Sequence, residues 1–173
     1  EFRRVLFRSQ SHAPISAQDG WQTFASDHIA LLDHLRIERC HLFGQCIGGS
    51  FIFSLLKLQP QRIASAVIAQ AIGRIGPLKP GYTPRFEAWA KSLQNHPEAT
   101  PQALDQFYRN LYGNDFVYSA DRAFAAGCNT PCLVLAGNDD AHPRPISDEI
   151  AKLMPNVDEY ITDWKAGDAL AEI

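Results

Sequence analysis

The sequence predicts an α/β fold with a parallel sheet, and three observations carry that expectation. Short apolar runs bounded by turn residues stand at residues 40–43, 65–69 and 132–136, too short for helices and of the composition of buried strands. The stretches around them repeat apolar residues at helical spacing. One run passes through a glycine-flanked turn directly into a helical stretch, at residues 44–49.

Residues 1–9 (EFRRVLFRS) share neither cap nor period with the next element and are expected to be a cloning or assembly scar outside the fold. From 19 to 35, Trp21, Phe24, Ala25, Ile29, Leu32 and Leu35 recur at helical spacing. After a charged turn, Cys40-His41-Leu42-Phe43 ends at Gly44 and reads as a buried parallel strand. A helix over 51–58 stops before Pro60, and 65–69 is a second buried strand. The order helix, strand, turn, helix, strand implies a right-handed parallel arrangement.

Between about 73 and 127 the character changes. Prolines at 77, 80 and 84 open the segment, and two helical patterns come after them. The second has Thr100 as N-cap, Pro101 at its first position and Gly113 past its end. Its aromatic face carries Phe107, Tyr108, Leu111 and Tyr112; packing is the plain reading, a lid over a substrate pocket the functional one. A helical lid is expected over about 74–126. The sheet pattern then resumes at 132–136, followed by a helix at 146–153 and a last strand at 158–162.

At 173 residues the chain can form one domain with a sizeable core. Its net charge of −3, with no basic run beyond the extreme N-terminus, points to neither nucleic acid nor an anionic membrane. The apolar runs fall far short of the roughly 18 residues that a membrane span needs. Four cysteines are too few for a disulfide scaffold, so a cytoplasmic protein is expected. Cys128 and Cys132 have no second ligand pair nearby, which argues against zinc. The sequence sets no oligomeric state.

The chemically informative segment is Gly44-Gln45-Cys46-Ile47-Gly48-Gly49, which fits glycine–x–nucleophile–x–glycine between a strand and a helix. Such a turn holds its central residue in a strained conformation, and Gly44 and Gly48 let the backbone pass close to its neighbours. Cys46 would sit at a helix N-terminus, whose field favours a thiolate. The Ile47 N–H would be one oxyanion-hole donor. A small buried cysteine in a glycine-rich turn is the plainer alternative. A phosphate-cradling loop lacks its lysine and hydroxyl here.

The segments HIALLDHLRIERCHLFGQCIGGS, LKLQPQRIASAVIAQ and TPCLVLAGNDDAHP are similar to the α/β-hydrolase superfamily, in the branch of enol-lactonase and haloperoxidase-like esterases. GQCIGG also resembles the cysteine elbow of dienelactone hydrolases. The likeness covers most of residues 19–162. It implies a partial α/β-hydrolase fold, a parallel sheet flanked by helices with a helical lid insertion. The implied reaction is hydrolysis of a small-molecule carboxylic ester, lactone or thioester through an acyl-enzyme on Cys46, with no cofactor or metal.

The resemblance also implies an acid after the strand at 132–136. The G-x-x-D spacing from Gly137 selects Asp140, and the D-x-x-x-P spacing back from Pro143 selects Asp139. A turn cap explains either one without catalysis. The family's histidine should come after the last strand, but residues 163–173 contain none. Either the chain stops short of it, or His142 substitutes, or the site lacks a base. The strands and second oxyanion donor that the family places before the helix near Asp19 are missing as well, so the chain is expected to be a fragment. The alternative from another class is a catalytically impaired hydrolase-fold module that binds a small ligand or a protein partner.

Overall fold

The computed structural model describes residues 16–93 and 95–165. The expected scar at residues 1–9 lies outside the described residues. Helix α1 (Trp21–His34) buries Trp21, Phe24, Ala25 and Ile29 of the stripe its spacing predicts, Leu32 is partly buried, and Leu35, past the helix end, is exposed. Strand β1 (Cys40–Gln45) turns through Cys46 into α2 (Gly48–Leu58). Pro60, which cannot continue a helix, begins the single 3₁₀ turn that leads into β2 (Ile63–Ala69). After β2 come a two-residue strand β3 (Gly73–Arg74), helices α3 (Pro84–Ser92) and α4 (Pro101–Tyr112), β4 (Phe116–Val117) and α5 (Arg122–Gly127). The chain re-enters the sheet as β5 (Cys132–Leu135), then forms α6 (Arg144–Leu153) and β6 (Val157–Ile161).

The main sheet has the order β1-β2-β5-β6 with every pairing parallel. Its register places Gln45 opposite Ala69, Ala69 opposite Leu135, and Leu135 opposite Ile161. The four strands thus end level, and the residues after each emerge along one carboxyl edge, where open α/β sheets present ligand sites. Helix α2 packs on β1, β2 and α1, and α6 packs on β5 and α5. Ile52, Phe53, Leu56, Ile68, Val134, Ile146 and Ile150 fill the core between these layers. β3 and β4 pair antiparallel as a separate ribbon.

Two expectations differ from what forms. Residues 40–43 read as a buried strand, but β1 has a strand neighbour on one side only among the described residues. His41 and Phe43 therefore face out, and the Phe43 side chain is an exposed apolar group at 68%. The segment expected as a lid over 74–126 divides in two. α3 and α4 build a separate aromatic cluster with Trp21 and Phe24, in which Phe86, Phe107, Tyr108 and Leu111 are buried. Phe116, Val117, Ala120 and Ala125 instead join the core against the sheet. The aromatic face of α4 packs within the aromatic cluster. Thr100 caps that helix as the sequence predicts, accepting from the Ala103 N–H at 3.2 Å.

Candidate active site

Cys46 follows the last residue of β1 and adopts φ 59°, a left-handed conformation rarely held by a residue with a side chain. Three backbone contacts hold it there. The Cys46 N–H donates to the Ala69 carbonyl at 3.0 Å, and its own carbonyl accepts from Gly49 at 3.2 Å and Ile72 at 3.3 Å. The turn is tight enough that a Cβ on Gly44 would lie 2.6 Å from the Gly48 carbonyl oxygen. At Gly48 itself an added Cβ meets nothing within 4 Å. The close approach that the pattern suggests for Gly48 falls on the next residue, Gly49, which seats against Ala71. Ile47 is the N-cap of α2, and among the described residues its N–H reaches no protein acceptor, as an oxyanion donor requires.

The acid loop follows β5. It folds back on itself through Gly137, where a Cβ would stand 2.2 Å from the His142 carbonyl oxygen. The Gly137 N–H donates to the buried Ser147 Oγ at 3.0 Å, which pins the start of the loop to α6. Asp139 accepts at Oδ1 from the N–H groups of Ala141 and His142, and its Oδ1 lies 2.7 Å from His142 Nδ1. Its Oδ2 accepts from Lys165 Nζ at 2.8 Å. The lysine hydrogen bond first, and the imidazole second, hold the Asp139 carboxyl well below the usual carboxylate range. Asp140 is exposed and makes no side-chain hydrogen bond or ion pair among the described residues. Of the two aspartates, Asp139 is the one whose carboxylate meets His142.

Lys165 arrives from the fourth strand. After β6, the Trp164 indole donates to the Ala136 carbonyl at 2.9 Å and sets the following lysine beside Asp139. Only the absence of histidine is plain from residues 163–165 in the sequence; their role as a clip on the acid loop comes from the sheet order.

Between Cys46 and His142 stands a residue that the sequence does not single out. Gln70 follows β2, in the row between the elbow and the acid loop, and it too is left-handed, at φ 41°. Its N–H donates to the Leu135 carbonyl at 2.7 Å, and its side-chain Nε2 lies 3.4 Å from His142 Nε2. Its Oε1 is buried with no partner among the described residues. A polar residue directly after an apolar strand was the signal available. The structure thus joins Asp139 to His142 and His142 to Gln70, whereas Cys46 Sγ makes no hydrogen bond to any of them. His142 follows a strand two places from the elbow in the sheet.

Tyr118 stands against α2, its N–H donating to Ser50 Oγ at 3.2 Å. Its phenol is pushed up by burial first, with the Arg74 charge opposing the rise and Cys46 adding to it. A cleft of about 550 Å³ lined by Trp21, Ser54, Lys57, Asn110, Tyr118 and Asp121 opens at the far end of α2 and reaches none of the elbow or acid-loop residues. Among the described residues no group of three or more His, Cys, Asp or Glu side chains could hold a metal ion. No described helix is long and apolar enough to cross a membrane.

No protein-family model matches the chain. RutD of Pseudomonas syringae pv. syringae, a curated protein named for carbamate hydrolysis, is 34% identical over 110 residues, 62% of this chain. The matched part spans 40% of that relative's length. Among solved structures, the meta-cleavage product hydrolase CumD of Pseudomonas fluorescens superposes with a TM-score of 0.60 at 15% identity, over 95% of this chain and 71% of its own. Est816, described as an N-acyl homoserine lactone degrading enzyme, gives 0.61 at 19% identity, over 89% and 70%. A thermophilic esterase from Thermogutta terrifontis gives 0.61 at 17% identity, over 92% and 68%.

Proposed function

Starting from the partial α/β-hydrolase fold that these likenesses show, we propose that the chain belongs to a hydrolase whose nucleophile is Cys46, acting on a carboxylic ester, lactone or thioester. The observation that carries this reading is the left-handed backbone of Cys46 on the turn from β1 to α2. Strain of this kind persists only where the surroundings over-determine it, and it gathers at functional sites. The sulfur attacks the acyl carbon, the alcohol or thiol departs with a proton, and water then cleaves the thioester to an acid and restores the thiol. Ile47 N–H donates to the developing oxyanion.

His142 is the base of this reading. With Nδ1–H donating to Asp139, its Nε2 carries the lone pair that a general base needs, and Asp139 stabilises the imidazolium that forms. The Cys46–His142 contact that this requires would have to form in the substrate complex, where catalytic contacts often tighten. Helices α3 and α4 serve as the lid. Incubation with p-nitrophenyl acetate tests the reading: a burst of p-nitrophenolate and an acetyl group mapped to Cys46 by peptide mass spectrometry are expected. Release of p-nitrophenolate unchanged by Cys46→Ala would sink it.

A further inference from the structure

Tyr118 carries a further inference, which rests on the reading of Cys46 as nucleophile. That reading supplies one oxyanion donor, the Ile47 N–H. Attack on an acyl carbon places negative charge on the acyl oxygen, and donors held in advance around that oxygen stabilise it. A second donor must therefore stand beside Ile47.

The first turn of α2 brings Tyr118 to that place. Ser50 lies one turn after Ile47, with its N–H donating to the Ile47 carbonyl at 3.0 Å, so the two residues share a helix face. The Tyr118 N–H donates to Ser50 Oγ at 3.2 Å, and the Ser119 hydroxyl donates to the Ser50 carbonyl. Both contacts fasten residues 118 and 119 to that face. The Tyr118 ring then packs in the same aromatic cluster as Ile47, with Tyr112 edge-on at 5.2 Å between centroids. None of these contacts uses the phenol oxygen, which makes no hydrogen bond among the described residues. Inward-facing tyrosines ordinarily give their O–H a partner.

The surroundings suit a donor to an anion. Burial pushes the phenol up, so it keeps its hydrogen at neutral pH, and Cys46 adds to the rise from within electrostatic reach. The Arg74 charge acts on the phenol from another side. Its guanidinium donates to the carbonyls of Tyr112 and Gly113, and its Nη1 is buried with no partner among the described residues. No described carboxylate pairs with it, so a cation without a counter-ion backs the phenol, on the side where an oxygen gaining negative charge is favoured.

We infer that the Tyr118 hydroxyl is the second oxyanion donor of the Cys46 site, closing on the acyl oxygen together with the Ile47 N–H. As sulfur bonds to the acyl carbon, the C=O electron pair moves onto oxygen and both donors tighten on it, each keeping its hydrogen. On collapse the pair returns to the C=O bond, and the bond to the leaving atom breaks. A donor of this kind acts on the charged state, so its loss slows the chemistry and spares ground-state binding.

1,1,1-Trifluoro-4-phenylbutan-2-one tests this on the full chain. A thiolate adds to its carbonyl carbon and leaves an oxyanion with no group to expel. The corresponding alcohol has the same skeleton and cannot be attacked. Fluorine NMR gives both dissociation constants. Tyr118→Phe should weaken the ketone roughly a hundredfold and leave the alcohol within about twofold. The hydroxyl of the bound adduct, followed by its fluorine shift, should also titrate at higher pH in the variant. Tyr118→Leu serves as the second variant should Tyr118→Phe fail to fold. An unchanged ketone affinity, or equal losses for ketone and alcohol, would overturn the inference and leave the nucleophile reading standing. A parent protein that forms no adduct on Cys46 would overturn both.

Discussion

A Cβ built on Gly49 would stand 2.7 Å from the Cβ of Ala71, so the first turn of α2 rests directly on the chain that leaves β2. Gly49→Ala should therefore cost about 1–3 kcal/mol through overpacking. Gly48, one residue earlier, faces open space, and Gly48→Ala should leave stability unchanged or raise it by up to about 1 kcal/mol. Urea unfolding of the two variants compares them. Similar midpoints would mean that the elbow is not seated as described.

The pairing of Asp139 with His142 separates the two candidate acids by function. If acyl turnover runs through this pair, Asp139→Asn should lower it by as much as about 10⁴, and His142→Ala by about 10² to 10⁴. Asp140→Asn should stay close to the parent. Steady-state rates on p-nitrophenyl acetate decide, and a larger loss at Asp140 would return the acid to the other spacing.

Lys165 governs the charge of the acid loop. The folded pKa of Asp139 lies below its unfolded value of about 3.9, mainly through Lys165. The stability that this contributes is present above about pH 4 and is lost as pH falls through the lower, folded value. In Lys165→Met the Asp139 carboxyl should titrate nearer its ordinary range, with the smaller pull of His142 remaining. Carbon-detected NMR of the labelled carboxyl tracks this directly; an unchanged titration would deny the contact.

The four cysteines should label in a fixed order. Cys132 is 1% exposed and burial pushes its thiol up to about 12, while Cys128 is 6% exposed. Burial withholds both sulfurs from reagent. Cys46 and Cys40 are both half-buried, but only Cys46 stands at the carboxyl edge of the sheet. Brief iodoacetamide treatment and peptide mapping should find Cys46 first. Modification of Cys128 or Cys132 ahead of it would contradict the elbow.

Much of the scaffold was legible in residue pattern. The runs at 40–43, 65–69 and 132–136 are strands because length and composition suit little else, and Thr100, Pro101 and Gly113 bound α4 through local chemistry alone. The tight turn at Cys46 was legible for the same reason, as Gly44 acts within a few residues. What escaped depends on which strands lie side by side. Gln70 matters only because β2 runs between β1 and β5, and Lys165 only because β6 flanks β5. Neither adjacency is written in local spacing. Asp139 and Asp140 differ by one position, and only the folded loop, returning through Gly137, shows which of them meets His142.

The left-handed backbone at position 46 has a thermodynamic consequence that can be separated from any chemistry. A residue with a Cβ in that region is destabilised by about 1 kcal/mol relative to glycine. Cys46→Gly should then unfold at higher denaturant than Cys46→Ala, by about that amount, the reverse of the order these residues show within helices. Selection for a durable fold alone would settle on glycine at this turn. A thiol kept at the less stable choice is the footprint of a second pressure, and the Gly–Ala pair measures its size without a substrate being known.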